Sequence, residues 1–154
     1  MFRKAAPNDI PSLEALARSV IRHNYTPFLG EDAVESFIGG GASDAEIEKG
    51  FERCVIFAEN GDIIGFAITD NDILHLIMIA VEHQNNGHGA KLLAHVEKQM
   101  FTDFDSIRLQ SFSDNHATNE FYRKHGWALA NEQPQDDSPI RVLHFEKRRR
   151  GLLL

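Results

Sequence analysis

The chain has a single cysteine, Cys54, among 154 residues. It can form no intrachain disulfide, and the four-thiolate zinc sites are excluded by count. Cys54 lies in the apolar run Cys54-Val55-Ile56-Phe57-Ala58, which argues for a buried structural thiol and against a nucleophile. Long apolar runs are also missing. No stretch approaches the roughly 20 apolar residues of a membrane span, and no uninterrupted apolar segment follows Arg3-Lys4 as a secretory signal would require. The expected location is therefore the cytoplasm, away from membranes. Positive charge is scarce as well. A formal charge of -7 disfavours a nucleic-acid binder, which needs a basic surface to neutralise phosphates, and hints at a cationic partner. The one basic run, Lys147-Arg148-Arg149-Arg150, reads as a solvated tail. Repeats, low-complexity tracts and proline-rich linkers are absent, so residues 1–147 are expected to form one domain, followed by a basic and apolar tail over 148–154.

What is present is a sequence of periodicities. Phe2 to Ala6 reads as a short strand. Ile10, Leu13, Leu16, Ala17, Val20 and Ile21 recur at helical spacing, with Pro11 near the start. A second helix around Val34, Phe37 and Ile38 is halted by Gly39-Gly40-Gly41, and a third begins at a capping box, Ser43-Asp44-Ala45-Glu46. Arg22 to Gly30 reads as an aromatic loop between the first two. Strands are then expected over Cys54–Ala58 and Ile63–Thr69, joined by the turn dipeptide Asn60-Gly61. Asp70-Asn71-Asp72 marks the next turn, and Ile73 to Val81, interrupted only by His75, reads as a buried central strand. A helix with Leu92, Leu93, Val96 and Met100 on one face follows. After it come a strand from Ser106 to Phe112, a helix from about Asn115 to Lys124, and strands near Trp127–Ala130 and Ile140–Phe145. Hairpins first and crossover helices later predict an α/β protein of the α+β type. Its sheet is expected to be mixed and mostly antiparallel, with about six to seven strands and helices on both faces.

The chemistry concentrates where the Ile73 strand meets the following helix. Gln84-Asn85-Asn86-Gly87-His88-Gly89-Ala90 makes a short turn in which glycines allow close approach of a ligand and a helix amino terminus presents N–H groups, a combination suited to a pyrophosphate. No Gly-Lys-Ser/Thr follows, so it is not a Walker A loop, and the third glycine of the dinucleotide fingerprint is missing. Gln84-x-x-Gly87-x-Gly89 after an apolar strand and before Leu92-Leu93 resembles the coenzyme-A motif of the GNAT acetyltransferase superfamily. Downstream, Asn115, Tyr122 and Gly126 resemble, in register, the family pattern of Asn, Ala three residues on, Tyr and a terminal Gly-Phe. Thr118 and Trp127 replace the usual alanine and phenylalanine. The opening Arg3-Lys4-Ala5 and Asp9-Ile10 also resemble the family's start, so the likeness covers nearly the whole chain. It departs at Val81, where proline is common, at His83, where an aromatic is common, and in the polar rather than basic character of Asn85-Asn86-Gly87-His88. An altered cofactor affinity is expected from these changes.

The resemblance implies an N-acetyltransferase with acetyl-CoA as acyl donor. Main-chain groups of Ile77, Met78 and Ile79 would pair with the pantetheine arm, and residues 84–90 with the pyrophosphate. Asn115 would bond the cofactor, its alternative role being a helix cap. Tyr122 matches the usual general acid, a phenol being protonated at neutral pH; its alternative is a half-buried packing aromatic. His75 is the candidate base, an imidazole being able to titrate near neutrality, with a satisfied core histidine as the alternative. The remaining histidines form no zinc-enzyme pair with a nearby carboxylate, so no metal is expected. The partner is an amine acceptor, cationic if the acidic charge is used, chosen by the region around Tyr25 and Phe28 and by a hairpin near Asp136-Asp137. Family habit suggests a homodimer, to which no residue points. Transfer of a longer acyl chain, transfer to a hydroxyl, and an acyl-CoA sensor with little turnover are the competing readings.

Overall fold

The computed structural model describes residues 1–134 and 140–151; the expected hairpin at Asp136-Asp137 lies outside them. Seven strands, β1 (Phe2–Lys4), β2 (Cys54–Glu59), β3 (Asp62–Asp70), β4 (Ile73–Ile79), β5 (Ser106–Phe112), β6 (Ala128–Pro134) and β7 (Arg141–Arg148), form one sheet in the order β1-β2-β3-β4-β5-β7-β6. Five α-helices accompany it: α1 (Ile10–Leu29), α2 (Glu31–Gly39), α3 (Ala42–Gly50), α4 (His88–Asp103) and α5 (His116–Lys124). The ladders β1–β2, β2–β3, β5–β7 and β6–β7 are antiparallel. The β4–β5 ladder is parallel and comprises one register pair, Ile73 with Arg108, as a crossover through a helix requires. This is the mixed, mostly antiparallel sheet expected from the sequence. No described helix is long and apolar enough to cross a membrane.

The residues fall into two compact units, Met1–Thr69 with Leu76–Val96, and Asp70–His75 with Glu97 onward. In the first, the helical stripe Leu13, Ala17, Val20 and Ile21 of α1 joins Val34 of α2, Ile47 of α3 and the strand residues Cys54, Ile56, Phe66, Ile68 and Met78 in one core. Within that core, burial pushes the Cys54 thiol up to about 12, which leaves it protonated and inert. In the second unit Ile107 and Leu109 of β5, Tyr122 of α5, Trp127, and Leu143 and Phe145 of β7 are buried.

Several local expectations are corrected. Arg22 to Gly30 is not a loop, because α1 continues to Leu29 with Pro27 inside it. Pro27 removes one donor in the last turn only, while Tyr25 and Leu29 prolong the stripe of Ile21 by packing on the first core. Gly30, at φ 90, then stops the helix. The capping box at Ser43 does not form. The glycine run supplies a left-handed N-cap at Gly41, φ 85, so α3 starts one residue before Ser43. Ser43 Oγ is buried without a hydrogen-bond partner, and Asp44 pairs with Arg18 at 2.6 Å. The strand expected to reach Val81 ends at Ile79, and Val81–His83 forms a 3-10 turn. β4 is also less buried than its composition suggests, since Leu74 and Met78 are buried but His75 is exposed. Finally, the basic run begins inside the sheet: Lys147 and Arg148 belong to β7 and Lys147 pairs with Glu97 at 2.6 Å, whereas Arg149 and Arg150 follow the strand and are exposed, Arg149 pairing with Asp105 at 2.6 Å.

Candidate active site

In the first unit, β4 delivers its last residues to the turn before α4. The turn is tied back to the strand by Gln84, whose Nε2 donates to the Ile79 carbonyl at 3.0 Å. Asn86 Nδ2 donates to the Gln84 carbonyl at 3.3 Å. Asn85 and Gly87 both take positive φ, 65 and 82, a conformation that asparagine tolerates and glycine adopts freely. The first helical bond of α4, Lys91 N–H to the Gly87 carbonyl, is 3.4 Å, so the N–H groups of His88, Gly89 and Ala90 occupy the turn whose donors have no helical acceptor. His88 adds a further unmet group. Its Nδ1 is buried with no hydrogen-bond partner, while its ring lies edge-on to Phe57 at 5.6 Å and to His83 at 6.0 Å. Helix-start donors, left-handed backbone and an orphaned buried nitrogen within one turn suit a polyanionic ligand.

Gly65 on β3 escaped the sequence reading. A Cβ there would come within 2.5 Å of the Met78 carbonyl oxygen and 2.6 Å of Ile79 Cδ1, so the absence of a side chain sets how closely β3 backs the residues expected to meet pantetheine. A lone glycine inside a strand pattern was the available signal.

The second unit holds the other candidates. His75 is exposed on the early part of β4, just after the anchor that fixes where the strand starts. There, Arg108 donates to both carboxylate oxygens of Asp72 at 3.0 and 3.2 Å and its N–H reaches the Asp72 carbonyl at 2.8 Å. The Arg108 guanidinium holds the Asp72 carboxyl below its ordinary range. Asn115 is the N-cap residue of α5, but its side chain makes no capping bond, so the helix-cap alternative for that side chain does not hold. Asn119, not anticipated from the sequence, does the local tethering. It is 2% exposed and donates to the carbonyls of Phe112 at 3.0 Å and Ser113 at 3.3 Å. Tyr122 is 6% exposed, with ring contacts to Phe121 at 5.7 Å, Trp127 at 6.1 Å and Phe145 at 6.0 Å. Thus β4, the turn and α4 collect Ile77 to Ile79 and Gln84 to Ala90 in one unit, while His75, Asn115 and Tyr122 belong to the other.

A family model described as an acetyltransferase (GNAT) domain matches residues 25–149. The chain belongs to the GNAT acetyltransferase family. No curated protein matches this acetyltransferase in sequence, but solved structures do in fold. It is similar to the paiA N-acetyltransferase from Thermoplasma acidophilum, solved in complex with coenzyme A, with a TM-score of 0.81, 23% identity, and coverage of 97% of this chain and 98% of that one. A GCN5-related N-acetyltransferase from Rhodopseudomonas palustris gives a TM-score of 0.80 at 17% identity, covering 97% and 95% of the two chains. The apo form of YjaB from Escherichia coli gives 0.76 at 15% identity, covering 95% of each. The GNAT assignment makes this an acetyltransferase.

Proposed function

We propose that this acetyltransferase moves the acetyl group of acetyl-CoA onto a primary amine, of a small molecule or of a peptide or protein, by direct attack in a ternary complex. The observation that carries the reading is the turn over Gln84–Ala90, with its two left-handed residues, helix-start N–H groups and unpartnered His88 Nδ1. The bound coenzyme A of the Thermoplasma acidophilum relative supports the same ligand class here. Residues 84–90 hold the pyrophosphate, chiefly through the backbone, and Asn115 adds a side-chain bond. Main-chain groups of Ile77, Met78 and Ile79 pair with the pantetheine arm; the single register pair of the β4–β5 ladder and the incomplete burial of β4 support this. His75, directly or through a water, takes a proton from the acceptor ammonium and so frees the amine lone pair. The amine nitrogen then bonds to the thioester carbon as the carbon–sulfur bond breaks, a β4 N–H stabilises the negative charge gathering on the carbonyl oxygen, and Tyr122 gives its proton to the departing thiolate and is reprotonated by the second proton that the new amide nitrogen sheds.

The test is to titrate the purified protein with acetyl-CoA by calorimetry, then offer the saturated complex a panel of amines while following thiol release. Binding with acceptor-dependent release is the expected result. Binding with no release from any amine would favour a sensor over the transferase, and no binding would overturn the reading.

A further inference from the structure

The second unit contains a buried ionic network that the proposed chemistry has not used. The family pattern ends in Gly-Phe, but this chain has Gly126-Trp127. A phenyl ring needs no polar partner; a buried indole N–H does. Trp127 is 2% exposed, and its Nε1 donates to Glu97 Oε2 at 2.9 Å. Glu97 is itself buried, at 9% exposure. Its second oxygen accepts from Lys147 Nζ at 2.6 Å, and Lys147 also donates to the His125 carbonyl at 2.7 Å. A carboxylate withdrawn from water needs such partners, and here both of its oxygens have one.

What the network grips is the turn that closes α5. The N–H groups of Trp127 and His125 both donate to the Tyr122 carbonyl, at 3.0 and 3.1 Å. The indole lies 6.1 Å from the Tyr122 ring at an interplanar angle of 60°. Lys147 passes close beneath the turn, with its Cε 3.3 Å from where a Cβ of Gly126 would stand. A hydrogen bond to a fixed carboxylate sets the rotation of the indole, which hydrophobic packing of a phenyl would leave less defined. The indole in turn forms one wall against the phenol-bearing ring.

We infer that Glu97 and Lys147 are positioning residues that act through Trp127 to fix the orientation of Tyr122. The inference rests on Tyr122 being the proton donor. Glu97→Gln presents an NH2 group to one of the two donors that the carboxylate accepts, and Trp127→Phe removes the indole donor while keeping a ring of the kind usual in the family. Each is made alone and together with Tyr122→Phe. The expected result is a fall in kcat on the order of tenfold for each single variant, with the KM for acetyl-CoA nearly unchanged and no further fall when Tyr122 is already phenylalanine. Trp127 is the only tryptophan in the chain, so a changed intrinsic emission in Glu97→Gln reports directly on the indole. If Tyr122→Phe lowers kcat but the single variants do not, the positioning role is overturned while the acid assignment stands. If they lower kcat equally in the Tyr122→Phe background, their effect is general stability and the inference fails. If Tyr122→Phe keeps the full rate, the acid assignment fails and takes the inference with it. Should Glu97→Gln not fold, Trp127→Phe decides.

Discussion

At the scale of single residues, the most constrained atom is a hydrogen. Gly65 lies so close to Met78 and Ile79 that even a methyl group would collide with main chain, where no rotamer change can relieve it. Gly65→Ala is therefore expected to destabilise the protein by about 1–3 kcal/mol and to weaken acetyl-CoA binding by moving β4, as denaturant melts and calorimetry would measure. His75 offers a second test. If its exposed imidazole is the base, His75→Ala removes the acid-side rise of kcat/KM and lowers kcat by about 100-fold; an unchanged pH profile would shift the role to a water or to Glu82. Individual residues were unevenly legible in the sequence. Tyr122, Asn115 and the glycines of the turn are fixed by their place in two motifs. Asn119 falls between the matched positions of the downstream motif and Glu97 lies outside both motifs, and their importance comes from burial and from partners 7 and 30 residues away, which local patterning does not encode.

At the scale of elements, the turn before α4 combines backbone conformation with a side-chain tether. Gly87 has open space around its missing Cβ but a φ of 82, so a substitution there acts through the backbone alone. Gly87→Ala is expected to cost about 1–2 kcal/mol of local strain, read as a melting temperature lower by a few degrees, and to weaken acetyl-CoA binding, measured by calorimetry, to the extent that the turn relaxes away from its left-handed conformation. Strands and helices were largely readable because the period changes from 3.6 to 2 near Cys54 and back after Ile79. The failures have physical causes. The aromatic segment after Ile21 joined α1 because Tyr25 and Leu29 gain core contacts that outweigh the one donor lost at Pro27. The capping box lost to a glycine that could take a left-handed φ. In β4, the apolar composition suggested complete burial, whereas partial exposure is what a strand needs if a ligand is to lie along it.

At the scale of the whole molecule, β4 and α4 each contribute residues to both compact units, and each unit carries an arginine-bound aspartate. In the first, Arg3 donates to Asp9 at 2.8 Å and the Ala6 N–H adds a bond of 2.8 Å; in the second, Arg108 holds Asp72. The Arg3 hydrogen bond draws the Asp9 carboxyl below its ordinary value, as Arg108 does for Asp72. A depressed folded pKa stabilises the fold above the unfolded value of about 3.9 and withdraws that support as pH falls through the lower folded value. Glu14 is shifted the other way, by burial first and by Asp44 and Glu48 next, and its protonation offsets part of this as pH falls. The melting temperature is thus expected to drop by a few degrees between about pH 5 and pH 3, and in a calorimetric series Arg3→Met should reduce that drop by the Asp9 share while Asp72 keeps its own. The sealed position of Cys54, 3% exposed, has a use at this scale. Because the native thiol does not compete, a cysteine introduced at any exposed position becomes the sole point of attachment, and a fluorophore or spin label placed there would report acetyl-CoA-dependent motion from one chosen element.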